Sequence, residues 1–204
     1  MNPSTTPEPL QGVVRTPKRT DARRNHERVV AAAVEVFRES GTQASVPQIA
    51  AKAEVGKATV YRSFPTKEDL LETITALSLD RLGQRTAAAM REAGPYEAFR
   101  GFVLELFDTL AHDRLLAERL ADAASPAAAS VLEELVRVME RARDAGNLRG
   151  DVTPLDLRVV LCGTALQLVK LAERDPATWR RYGEMVLGAL RDCTCPGNPR
   201  PAGR

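Results

Sequence analysis

Aromatic residues are scarce in this chain: five Phe, three Tyr and one Trp make up 4% of 204 residues. Aliphatic side chains and Ala must therefore fill the core, which suits helices. Cysteine is equally thin. Cys162, Cys193 and Cys195 make a poor disulfide framework, and the expected compartment is the cytoplasm. Only two histidines exist, His26 and His112, too few and too far apart for a metal site. Cys193-Thr-Cys195 has no partner pair and gives no ground for zinc. No apolar run reaches the length of a membrane span, and Met1 to Leu10 lacks the apolar core of a signal peptide. Gly-rich phosphate loops, G-x-S-x-G and H-E-x-x-H are all missing. An enzyme reading has no residues to stand on, and no cofactor or catalytic residue is expected.

The chain does hold ample core material, with 44% hydrophobic residues, and an uneven distribution of charge. Net charge is only +2. Residues 1–67 carry eleven Lys/Arg against six Asp/Glu, and residues 68–204 carry eighteen against twenty-one. The N-terminal third is thus the basic end, the polarity that DNA binding needs.

That basic end contains the run Ser45 to Leu71, which reads as two short helices, a tight turn between them, and a third helix. Ser45 and Gln48 have the spacing of a capping box, and Pro47 sits in a first turn where its missing N–H costs little. Ile49, Ala50 and Ala53 form an inward face. Gly56 stands where the turn is expected to need a positive φ. In Lys57-Ala-Thr-Val-Tyr-Arg-Ser-Phe64 the four-residue spacing puts Val60 and Phe64 on one inward face. Lys57, Ala58, Thr59, Tyr61 and Arg62 are left outward, types that suit a major groove and its flanking phosphates. Pro65 stops the helix, and Thr66 with Asp69 caps the next. Two short helices of this layout are a helix-turn-helix, whose second helix lies in the groove.

The segment from Arg23 to Leu71 resembles the DNA-binding domain of TetR-family transcriptional regulators. Tyr61, Phe64 and the Lys67-Glu68 pair carry the family's spacing. The strict match covers about a quarter of the chain, and the remainder is compatible with the family's variable helical domain.

Met1 to Thr20, with four prolines, is expected to be a disordered basic arm. Arg15, Lys18, Arg19, Arg23 and Arg24 are candidates to touch phosphates or enter a minor groove, with an uninvolved tail as the alternative for Arg15 to Arg19. A first helix is expected from Asp21 to Ser40, striped by Val29, Val30, Ala33, Val34 and Phe37 and ended by Gly41. Further helices are expected at Thr66 to Glu92, Tyr96 to Ala111, Arg114 to Asp122, Pro126 to Ala145, Pro154 to Arg174 and Pro176 to Arg191. A frayed tail follows over residues 192–204. The fold class is all-α, about nine helices: a helix-turn-helix domain over 21–66, then a ligand-binding and dimerisation domain over 67–191.

The two last helices, about 154–174 and 176–191, carry more apolar surface than one small bundle can hide. In the TetR family such a surface pairs with its twin, and a two-fold dimer presents two recognition helices to adjacent half-sites. Gly163 and Ala165 permit close approach, and Cys162 is read as a small buried residue. The resemblance also implies a small-molecule effector in an apolar cavity of the second domain. Met90, Phe99, Phe102, Val103, Phe107, Leu120, Leu135 and Met139 are its candidate lining, with His112 and Arg85 as polar candidates. The DNA-binding candidates are Ser45, Lys57, Ala58, Thr59, Tyr61, Arg62 and Lys67, where Ser45 and Lys67 sit at helix N-termini. The expected function is a sequence-specific, homodimeric regulator of transcription, a repressor released from a palindromic operator by its effector. Two other classes stay open: a DNA-binding protein without sequence preference, and a helical ligand-binding or scaffold protein with a vestigial helix-turn-helix.

Overall fold

The computed structural model describes residues 17–92, 94–122 and 125–191, and within them finds helices joined by short connections. They are α1 (Pro17–Ser40), α2 (Val46–Lys52), α3 (Lys57–Ser63), α4 (Lys67–Glu92), α5 (Pro95–His112), α6 (Arg114–Ala121), α7 (Pro126–Asp144), α8 (Pro154–Lys170) and α9 (Pro176–Leu190). One 3-10 turn, Gly41–Gln43, follows α1. The arm up to residue 16, the tail from 192, both of its cysteines and the Met90 side chain lie outside the described residues.

Capping chemistry sets most boundaries. Ser45 and Gln48 form the expected box at α2, as do Thr66 and Asp69 at α4. Thr153 and Asp156 form another at α8. The Asp175 carboxylate accepts the N–H groups of Ala177 and Thr178 at the start of α9. Each pair satisfies donors that a helix start leaves orphaned.

Three expectations need correction. First, α1 begins at Pro17 rather than Asp21, so the expected arm over 1–20 loses its last residues to helix. Proline is well suited to a first helical turn. Second, Gly56 has φ −71°, ordinary extended backbone, and serves as the N-cap of α3. The left-handed residue of the turn is Glu54, at φ 52°. The Glu54 N–H bonds to the Ala51 carbonyl and the Val55 N–H to the Ala50 carbonyl, a Schellman closure of α2. Third, α8 ends at Lys170 and not Arg174. Ala172, at φ 53°, closes it with the same pair of bonds, to Val169 and from Glu173 to Leu168.

Two hydrophobic clusters organise the molecule. The N-terminal one holds Val29, Ala33, Phe37, Val46, Ile49, Ala50, Val60 and Phe64, together with Leu70, Leu71 and Ile74 of α4 and Leu115 of α6. The larger one gathers α5, α7, α8 and α9 around Phe99, Phe107, Leu135, Met139 and Trp179. Helices α4 and α6 belong to both. The first turns of α4 lie in the N-terminal core, so a division at residue 66 cuts through shared packing. Helix α6 places Leu115 in one cluster and its neighbour Leu116 in the other.

Candidate nucleic-acid interface

The α2–α3 unit is positioned by α1. Val60 and Phe64 turn inward at 1% and 6% exposure, and the His26 ring of α1 stacks on Phe64 at 5.1 Å. With that face fixed, the opposite face of α3 must point out. Lys57, Ala58, Tyr61 and Arg62 are exposed and Thr59 is half-buried. Tyr61 is 49% exposed, unusual for a residue of its size.

Other basic groups nearby already have partners. Arg23 pairs with Glu27, Arg28 with Glu54, and Lys52 with Glu35 at 2.7 Å. The Glu35 carboxylate holds the Lys52 ammonium above its usual pKa. No described residue hydrogen-bonds or ion-pairs with the Lys57, Tyr61 or Arg62 side chain. A cation, a phenol and a guanidinium thus stand together on one short helix without internal acceptors.

Ser45 and Lys67 are differently placed. Ser45 is occupied by its capping box, its hydroxyl donating to Gln48 Oε1 at 2.8 Å. Lys67 Nζ donates to the Thr42 carbonyl at 2.6 Å, binding the start of α4 to the turn after α1. Sequence reasoning missed Glu54, which shapes the α2–α3 turn and pairs with Arg28. Its signal was present in Val55, the apolar residue that follows a left-handed helix cap and packs under it.

The seven described candidates for the effector cavity are all buried in the larger cluster. Leu120 and Leu135 border a narrow crevice with room for only about 10 Å³, with Leu106, Leu110, Val131 and Leu161. Larger open grooves lie outside that core. One of about 430 Å³ runs between α4, α6 and α7, along Glu72, Thr75, Leu79 and Arg119. Another of about 610 Å³ runs between α7 and α8, along Leu132, Val136, Arg158 and Cys162. Burial pushes the Cys162 thiol pKa up, which leaves it a poor nucleophile. His112 and Arg85 meet at a fourth groove, beside α1.

Helices α8 and α9 bury Leu157, Leu161, Ala165 and Leu168, and Trp179, Val186, Leu187 and Leu190. They also leave Leu155, Val159, Leu171 and Met185 more than half exposed. Leu155, Val159 and Gly163 recur every fourth residue on one face of α8. A Cβ added at Gly163 would meet nothing, so the surface there is open. Among the described residues no three His, Cys, Asp or Glu side chains group to hold a metal. No helix among them is long and apolar enough to cross a membrane.

Comparison with known proteins gives the same layout a lineage. Residues 29–74 match the family described as bacterial regulatory proteins, tetR family. Residues 94–192 match the C-terminal domain of SbtR-like transcriptional regulators. Among curated proteins no sequence matches. Solved structures do. The TetR transcriptional regulator SCO0520 of Streptomyces coelicolor is 31% identical over 81% of this chain and 98% of its own, at TM-score 0.57. The TetR regulatory protein of Mycobacterium vanbaalenii is 27% identical over 86% and 99%, at 0.54. The fatty acid degradation regulator FadR of Bacillus halodurans is 25% identical over 81% and 100%, at 0.59. The chain belongs to the TetR family of transcriptional regulators, with an N-terminal DNA-binding helix-turn-helix and a helical C-terminal domain.

Proposed function

We propose that this protein is a homodimeric repressor that reads a palindromic operator with α3 and leaves it when a small molecule binds the second domain. The supporting observation is the outward face of α3, where Lys57, Tyr61 and Arg62 have no acceptor within the described chain. Phosphate and base edges supply such acceptors. Thr59 and Arg62 are the base-reading candidates, Ala58 is small enough to meet a thymine methyl, and Tyr61 and Lys57 grip phosphate. Ser45 and Lys67 act at helix N-termini. Thr42 uses only one of the three ammonium donors of Lys67, which leaves two for a phosphate.

Dimerisation is supported by exposed apolar side chains on the last helices, Leu155 and Val159 one turn apart on α8 and Met185 on α9. Monomers rarely keep such a patch in water, and a two-fold copy of itself covers it.

For the effector we propose the core of the second domain, lined by Phe99, Phe102, Val103, Phe107, Leu120, Leu135 and Met139. The crevice there is narrow, so a ligand must part α5 and α7 to enter. Helix α6 spans both hydrophobic clusters and carries that displacement to the DNA-binding unit. The ligand acts only through its different affinity for the two arrangements. The Bacillus halodurans relative regulates fatty acid degradation, which makes apolar acyl compounds reasonable first probes.

The test is titration of the protein into its own upstream DNA and into random duplex at two salt concentrations. Tight, two-fold-symmetric protection of the upstream DNA supports the reading. Equal, steeply salt-dependent binding to both favours a DNA binder without sequence preference. A folded protein that binds neither favours the scaffold class.

A further inference from the structure

A groove of about 330 Å³ lies where the last turn of α1 meets the middle of α4 and the end of α5. It is separate from the core in which we place the effector, and no residue of α3 lines it. Ser78, Arg81 and Arg85 line it from one face of α4, Arg38 from α1, and Thr109 and His112 from α5. Its size falls at the small end of ordinary ligand pockets.

The charges in this groove are unevenly matched. Arg85 is occupied, with its guanidinium 2.5 Å from Glu105 and 3.6 Å from Asp108. Asp113 is occupied as well. Its carboxylate accepts the Ser78 hydroxyl at 2.7 Å and the Leu116 N–H at 3.0 Å, which caps α6. The His112 ring gives Nδ1 to the Asp108 carbonyl at 2.8 Å. Arg38 and Arg81 have no hydrogen-bond or ion-pair partner among the described residues. The Thr109 hydroxyl oxygen is closed off from water and from the groove and has no hydrogen-bond partner. Two guanidinium groups therefore border one groove with their donors unspent.

We propose that this groove is a binding site for a small anionic molecule. Its carboxylate or phosphate sits between Arg38 and Arg81. Guanidinium groups are the usual partners of such oxyanions, because their planar donors match two oxygens at once. The site joins α1 of the DNA-binding unit to α4 and α5 of the second domain, so a ligand there touches both. The inference does not depend on the proposed effector or on operator recognition.

The experiment is calorimetric titration of the purified full-length protein with inorganic phosphate, and separately with malonate, at constant ionic strength. Saturable binding at one site per chain is expected for at least one probe. Arg38→Gln/Arg81→Gln should weaken it about tenfold or more, the scale of a lost charge-assisted pair. Lys57→Ala, which removes a cation from α3, should leave it unchanged. The arginines are exposed, so the double variant should keep its helical circular dichroism. No saturable binding of either probe would overturn the proposal. So would binding that survives in the arginine variant, or that is lost in Lys57→Ala, because it would then belong to the DNA-facing surface.

Discussion

Glu118 on α6 accepts two hydrogen bonds from Thr42, the backbone N–H at 2.7 Å and the hydroxyl at 2.8 Å. Its other oxygen is held by Arg114 Nε at 2.7 Å. Thr42 lies in the turn after α1, and its carbonyl receives Lys67 from α4. Thr42 thus ties the turn after α1 to both α4 and α6. Gly41 makes the approach possible: its φ is +57°, and a Cβ there would fall on the Glu118 carboxylate. Gly41→Ala combines left-handed strain with that collision. We expect it to destabilise the fold by about 1–3 kcal/mol, read as a lowered thermal midpoint. A midpoint equal to wild type would mean that the turn relaxes away from α6 without cost.

Lys57→Ala tests the outward face of α3. If Lys57 contacts a phosphate, its removal should weaken operator and random duplex by similar factors. The slope of log affinity against log salt should fall by about 1. Binding measured at four salt concentrations decides it. An unchanged slope would remove Lys57 from the phosphate contacts. Arg62→Ala, by contrast, should cost the operator more than random DNA, because base contacts carry the sequence preference.

Most of the fold was legible because capping residues and apolar spacing are local signals. Ser45 with Gln48, Thr66 with Asp69 and Thr153 with Asp156 each mark a helix start by residues three apart. Val60 and Phe64 fix which face of α3 turns outward. The left-handed positions were less readable. Gly56 is the residue type that adopts positive φ, yet Glu54 holds it, because the Schellman bonds and the packing of Val55 decide where α2 closes. The grouping of Arg38, Arg81 and Thr109 could not be read, since it joins three helices whose mutual packing no local spacing encodes. The same holds for Glu118 and Thr42, 76 positions apart.

Ala172→Gly should stabilise the protein. Ala172 closes α8 at φ 53° and is exposed. A left-handed alanine costs about 1–2 kcal/mol, whereas glycine adopts that conformation freely. The added freedom of glycine in the unfolded chain offsets about 0.4–1 kcal/mol. A modest rise in the thermal midpoint remains. A fall would show that the α8–α9 connection takes another shape in solution.

Acid should loosen the starts of α8 and α9 in particular. The Thr153 hydroxyl and N–H hold the Asp156 carboxyl below its usual pKa. The Thr178 hydroxyl and the N–H of Ala177 do the same for Asp175. A depressed folded pKa contributes stability that is full above the unfolded carboxylate range. That stability is lost as pH falls through the folded value. Asp156→Asn/Asp175→Asn should therefore be less stable than wild type near neutrality. The difference should shrink as pH drops below the ordinary carboxylate range. Thermal midpoints of both proteins across acid pH give the comparison, and a gap independent of pH would assign the caps no ionic share.

Val159→Glu separates folding from assembly. Val159 is 62% exposed on α8, between Leu155 and Gly163 on the same face, so a glutamate there meets water in an isolated subunit. In the dimer each protomer would lose the burial of a valine, about 1.5–3 kcal/mol, and would bring a charge into an apolar seam. With two copies per interface, the dimer dissociation constant should rise by at least about a hundredfold. Gly163→Leu should act alike by holding the helices apart. Exposed helical glycine costs about 1 kcal/mol relative to alanine, a cost that close approach of a second helix offsets. Sedimentation should show monomers with unchanged helical content. Operator affinity should fall with them, because a single α3 reaches only one half-site. If both variants remain dimers, the interface lies on another face, and the exposed side chains of α8 need a different occupant.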